Sequence, residues 1–188
     1  MARPKEFNIE TALDAATLIF REYGYSGTST QMLIKEMKIG KQSLYDTFGG
    51  KWQLYCTVVA RYCAAETAEH VSSFQSEERA LNGINKMMDR VVTNAHIPCL
   101  GVNSVCEFST SEQELVDIRN KAGKALHTSI RNHIKRTQQE GDLPAQLNPD
   151  DATHFLLANI AGIRIAARGG ASSEVLHALK LLAIEALK

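Results

Sequence analysis

The 188-residue chain has no net charge: 21 Lys and Arg balance 21 Asp and Glu. Bulk electrostatics therefore points to neither nucleic acid nor an anionic membrane, and any such surface must be local. Only four prolines occur, which leaves room for long helices. No apolar run approaches the ~20 residues of a membrane span. The opening "MARPKEFNIE" has no apolar core, so a secretory signal is not expected. The expected location is the cytoplasm. Its four cysteines, Cys56, Cys63, Cys99 and Cys106, form no CxxC pair, and reduced thiols packed as small hydrophobes are the plain expectation. No stretch alternates with period two over a convincing length, so strands are not expected.

What is present is helical. Hydrophobic residues make up 44% and charged residues 22%, the composition of a globular chain. Ile9, Ala12, Leu13, Ala16, Phe20 and Tyr23 repeat at helical spacing. "YGYSGTST" ends that helix, with Thr28 or Ser29 available to cap the next. A short helix over Thr30–Met37 and another over Lys41–Thr47 follow, separated by "KIG". After "GGK", a long periodic stretch begins at Trp52, another runs from Glu78 to Ala95, and Pro98 stops it. "CLGVNSVCEF" starts a short segment, and Glu112–Glu140 is the longest periodic run. Beyond the loop "GDLPAQLNPDD", Asp150 or Asp151 opens a helix to Arg168, and Ser172 or Ser173 caps the last. The pattern predicts an all-α fold of about nine helices.

The informative stretch is Met37–Phe48, "MKIGKQSLYDTF". A helix-turn-helix needs apolar inner faces and polar groups at the start of its second helix. Leu33, Met37, Ile39, Leu44 and Phe48 supply the first, and Lys41, Gln42 and Ser43 the second. Gln pairs with adenine, and Lys with guanine or phosphate. Charge agrees locally: Lys35 to Lys51 holds four lysines and two acids, Glu36 and Asp46. Spacing alone leaves open a second reading, an ordinary three-helix corner with solvated lysines.

Residues ~10–55 resemble the DNA-binding domain of the TetR family of bacterial transcriptional regulators. The resemblance rests on Tyr23-Gly24-Tyr25, Thr28-Ser29, Leu44-Tyr45, Phe48 and Lys51. It implies a three-helix helix-turn-helix domain over 1–50 and a ligand-binding and dimerisation domain over 51–188. It implies phosphate contacts at Tyr45 and Lys51, a phosphate contact or helix cap at Thr28, and base reading by Lys41, Gln42 and Ser43. Arg3 and Lys5 could reach an adjacent minor groove, or form a plain basic tail. Two positions depart from the family pattern. Lys38 stands where glycine is common, and Gly40 where Ser or Thr is common. Either Lys38 adopts a left-handed backbone, costing roughly 1–2 kcal/mol, or Gly40 absorbs the turn.

The remainder resembles the family's second half more weakly. "CLGVNSVCEF" resembles a segment of one branch, and the ending "ANIAGIRIAARGGASSEVLHALKLLAIEAL" resembles the family's dimerising helix pair. One helix is striped by Phe155, Leu156, Ile160, Ile163 and Ala167, the other by Val175, Leu176, Leu179, Leu182 and Leu187. The alternative is that these stripes close the chain's own core. Tyr62, Met87, Met88, Asn103, Cys106, Phe108, His127, Phe155 and Asn159 are candidate pocket residues, with core packing as the competing reading. Cys99 or Cys106 could sense electrophiles or oxidants if exposed and acidified. His96, Cys99 and Cys106 fit no standard metal spacing, so no metal and no cofactor are expected. No histidine sits in a recognisable catalytic pattern, so no enzyme is expected. The expected function is a homodimeric repressor on a palindromic operator, released by a small-molecule effector. Alternatives are a factor of the same fold with no small ligand, and a cysteine-based sensor.

Overall fold

The computed structural model describes residues 7–188. Arg3 and Lys5 lie outside the described residues. Nine α-helices run in chain order among these residues: α1 Ile9–Tyr23, α2 Thr30–Met37, α3 Lys41–Phe48, α4 Lys51–Gln75, α5 Ala80–Thr93, α6 Leu100–Phe108, α7 Gln113–Gln139, α8 Pro149–Arg168 and α9 Ser173–Glu185. The all-α expectation is met, and no strand occurs among the described residues. None of the described helices is long and apolar enough to cross a membrane.

The helix starts follow capping chemistry. The Asn8 side chain accepts from Thr11 N–H at 3.1 Å, and Ser29 accepts from Met32 N–H at 3.1 Å. Asn148 accepts from the Asp150 and Asp151 amides, with Pro149 at the first helical position. Asn148, and not either aspartate, is thus the cap of α8; the aspartates occupy its first turn, where their charge favours the helix dipole.

The chain divides into two compact units. The first takes the described residues up to Cys63 together with Leu100–Arg119. Its core joins Ala16 and Phe20 of α1, Leu33 and Met37 of α2, and Leu44 of α3 to Leu54, Tyr55, Val58 and Val59 of α4. Leu100 and Leu115 close it. Three short helices cannot bury enough apolar surface alone. The first half of α4, α6 and the start of α7 supply the rest, each fully buried large side chain contributing roughly 1.5–3 kcal/mol.

The second unit takes Ala64–Cys99 and Asn120–Lys188. Its core gathers Ile84, Met87, Met88 and Val91 of α5, Ile130 and Ile134 of α7, and faces of α8 and α9. Here the expected dimerisation stripes need correction. Leu156, Ile160, Ile163, Ala167, Leu176 and Leu187 are buried within this unit's own core. A different set stays outward on α8 and α9: Phe155, Ile165, Val175, Leu181 and Leu182, the last 68% exposed. The expected stripes mixed these two faces because both are apolar.

Candidate nucleic-acid interface

The turn between α2 and α3 has a definite form. Lys38 lies in the left-handed region, with φ 54° and ψ 44°. Ile39 N–H donates to Ile34 O at 3.2 Å and Lys38 N–H to Lys35 O at 3.3 Å, the paired closure of a Schellman motif. Gly40 has an ordinary extended backbone, with φ −75° and ψ 158°. Lys38 therefore carries the turn, while its side chain stays exposed. Gly40 stands at the start of α3 with no side-chain cap.

On α3, Lys41 and Gln42 are exposed and Ser43 is half-buried, while Leu44 anchors the helix in the core. The Gln42 amide donates to Asp46 Oδ1 at 2.7 Å, one turn along. Tyr45 is 48% exposed. Its ring lies against Gly50, where φ is 114° and a Cβ would stand 3.3 Å from Tyr45 Cε1. The backbone there favours glycine, and a Cβ would press lightly on the ring. Lys51 holds its ammonium 4.0 Å from the centre of the Tyr25 ring, a cation–π contact. Burial pushes the Lys51 pKa down, with the Glu107 carboxylate opposing.

Thr28 differs from expectation. It is 1% exposed, and its hydroxyl donates to Gly24 O at 2.5 Å. The cap is Ser29, and Thr28 is turned inward to tie the α1–α2 turn. Neither a phosphate contact nor a cap fits that geometry.

A further residue braces this surface, and no local pattern points to it. Glu107, at the end of α6, accepts from Tyr25 N–H at 2.9 Å and Ser26 N–H at 2.7 Å. Gly24 has φ 68°, and a Cβ there would approach Glu107 Oε2 to 3.1 Å. Burial raises the Glu107 pKa, but the hydrogen bonds from Ser26 and Tyr25 and the Lys51 charge outweigh it and leave it below the usual range. Asn103 Nδ2 donates to Arg21 O at 3.2 Å. Through both residues, α6 grips the C-terminal end of α1. Trp52, packed edge-on to Tyr25 and Phe108, donates its indole N–H to Glu114 at 2.9 Å.

The candidate pocket residues have varied placements. In the first unit, Asn103 serves the α1 end, and Phe108 belongs to the ring cluster of Tyr25, Trp52 and Tyr55. The Tyr62 ring faces the Arg21 guanidinium at 5.4 Å, and Cys106 is exposed. In the second unit, Met87 and Met88 are 0% exposed. Both belong to that unit's core cluster. His127 lies 3.9 Å from Asp150 and 4.7 Å from the His154 ring. Phe155 and Asn159 line an open concavity with Ala158, Gly162, Ile163 and Leu179 on the outer face of α8 and α9. Their place is that outer face, not an enclosed chamber.

Comparisons with known proteins agree with this geometry. Residues 12–56 match the family model for bacterial regulatory proteins of the tetR family. The chain is 32% identical over 151 residues to the uncharacterized HTH-type transcriptional regulator YezE of Bacillus subtilis, covering 76% of each chain. It is 27% identical over 180 residues to the HTH-type transcriptional repressor ComR of Escherichia coli, covering 93% of this chain and 86% of that one. A cysteine mutant of the TetR family regulator CifR, solved with 26-base-pair operator DNA, shares the fold. Its TM-score is 0.86 at 24% identity, over 99% of this chain and 100% of that one. These relatives are named as transcriptional regulators. An exposed, polar start to the second helix of a tight helix pair is thus found in the segment that matches, and the chain belongs to the TetR family of bacterial transcriptional regulators.

Proposed function

We propose that the chain is a homodimeric repressor that holds a palindromic operator and is released by a small-molecule effector. Residues 1–50 read the DNA, and residues 51–188 bind the effector and the second copy. The observation that carries the reading is the α3 start. Lys41 and Gln42 face solvent on a helix anchored by Leu44, behind a closed Schellman turn. Lys41, Gln42 and Ser43 meet base edges, while Tyr45, Lys51 and the exposed Lys38 meet phosphates. Thr28 drops out of the contact set. Two half-sites require two copies, and the outward apolar face of α8 and α9 supports that pairing. The Escherichia coli relative ComR is named a repressor.

Selection of bound sequences from a random DNA pool tests this reading. A palindromic consensus with half-sites a whole number of helical turns apart is expected. Winners with a single unpaired half-site would overturn the dimer, and no enrichment would overturn sequence reading.

One observation favours a cysteine-responsive variant of the same function. Cys106 is exposed and adjoins Glu107, the residue that grips the α1–α2 turn. Modification there would act on the helix that carries the brace. Cys56 is unsuited to that role, because burial, with Glu114 beside it, pushes its thiol up to about 12. An electrophile that still releases DNA from Cys106→Ser would exclude Cys106 as the sensor.

A further inference from the structure

The second unit contains a cluster of charged groups on α4, α5 and α8. Arg164 of α8 sits between Ile163 and Ile165 and is 5% exposed. Its Nη2 donates to Glu66 Oε2 at 2.9 Å, its single protein hydrogen bond among the described residues. Arg90 of α5 occupies the same carboxylate more fully, with Nη2 at 2.9 Å from Oε1 and Nη1 at 3.4 Å from Oε2. Arg90 also has Glu69, 3.7 Å from its Nε. Two carboxylates therefore face Arg90, while Arg164 has only a share of one. Beside them on α4, one turn from Glu66, His70 is 3% exposed and its Nδ1 has no hydrogen-bond partner.

A guanidinium offers five N–H donors, and Arg164 commits one of them to Glu66, which leaves donors free for a further acceptor. The usual solution is a bidentate oxyanion. A buried imidazole nitrogen without a partner adds a second polar group with an unmet hydrogen bond. On α5 and α8 the neighbouring positions of the same faces are apolar. Met87 lies three residues before Arg90, and Ile160 four before Arg164, and both belong to the unit's core. The ligand that satisfies all of this has one anionic end and an apolar body.

We infer that α4, α5 and α8 form a site for a small amphiphilic carboxylate, its anionic end taken by the Arg164 guanidinium and the His70 imidazole. This rests on the ligand-release reading and names the effector's chemical class. Arg164 forks onto the two carboxylate oxygens, as lysine could not. Glu66 stays with Arg90, so occupancy moves Arg164 from a shared acceptor to one of its own. Binding then loosens the tie between α8 and the helix pair α4 and α5, which gives the ligand different affinities for two arrangements.

The test uses the full chain with benzoate and octanoate, and with benzamide and octanol as uncharged counterparts. Binding is read by calorimetry and thermal shift, and DNA release on the selected consensus sequence. At least one carboxylate should bind, with its neutral counterpart about 10-fold or more weaker. Arg164→Met should lower carboxylate affinity by at least about 10-fold and leave the neutral compounds unaffected. Arg164→Lys keeps the charge without the fork; it should weaken binding severalfold and serves if the Met variant does not fold. No carboxylate binding, equal binding of the neutral compounds, or unchanged affinity in the variant that folds would overturn the assignment. Release by neutral compounds alone would overturn the anion site and leave ligand release standing. A carboxylate bound through Arg164 that leaves DNA held would do the reverse.

Discussion

Lys38→Gly should make the first unit more stable. A left-handed backbone costs an L-residue roughly 1–2 kcal/mol, and Lys38 has φ 54°. Glycine escapes that cost, but its unfolded chain is freer, which takes back roughly 0.4–1 kcal/mol. The net gain is about 0.5–1 kcal/mol, or roughly 1–4 °C for a chain of this size. Trp52 is the one tryptophan of the chain and sits in the ring cluster of the first unit. Its fluorescence therefore reports unfolding of the relevant unit. Lys38→Ala is the control, because it removes the charge and keeps the Cβ. The glycine variant should melt above the alanine variant, and both should bind DNA more weakly than the parent by the same factor. If the glycine variant is no more stable than the alanine variant, the strain assigned to Lys38 is wrong.

Other outcomes can be checked separately. Tyr45→Phe and Lys51→Ala should weaken binding to all sequences, and Lys51→Ala should reduce the slope of log affinity against log salt by about one. Gln42→Ala should change the selected consensus at one position per half-site; an unchanged consensus would remove it from base reading. Leu182→Asp on the outward face of α9 should yield monomers by sedimentation, with folding intact. His70 gives a pH signature. Burial and the Arg90 and Arg164 charges, opposed by Glu66, push its pKa down to about 4. Its folded form binds a proton less readily than the unfolded chain, so stability falls as pH drops from about 6.5 towards 4, by roughly 3 kcal/mol in all. His70→Leu should flatten the urea midpoint over that window, and an equal pH dependence in both proteins would refute the assignment.

The fold was legible because helical periodicity, Gly breaks and capping residues all agree along this chain. What sequence could not decide was direction. Thr28 and Ser29 are adjacent hydroxyls, and only the Gly24 backbone determines which one caps and which turns inward. Met87, Met88 and Phe155 are all apolar at helical spacing, yet two are sealed and one is outward, because periodicity marks a face without saying what covers it. Glu107 escaped notice because its partners are 81 and 82 residues away in the chain. Arg164 did leave a trace, a charge between two isoleucines on a helix that otherwise reads as core.

The bare start of α3 has a thermodynamic consequence. With glycine at position 40, no side chain ties down the first amides of the recognition helix. Those donors stand at an exposed helix start, open to an external acceptor. A DNA phosphate is a stronger acceptor than the missing serine hydroxyl. On the DNA-reading role proposed above, an operator phosphate would supply the missing cap and complete the first turn of α3. Association should accordingly be enthalpy-driven with an ordering entropy against it. Restoring a cap with Gly40→Ser should reduce both terms while leaving the affinity nearly unchanged.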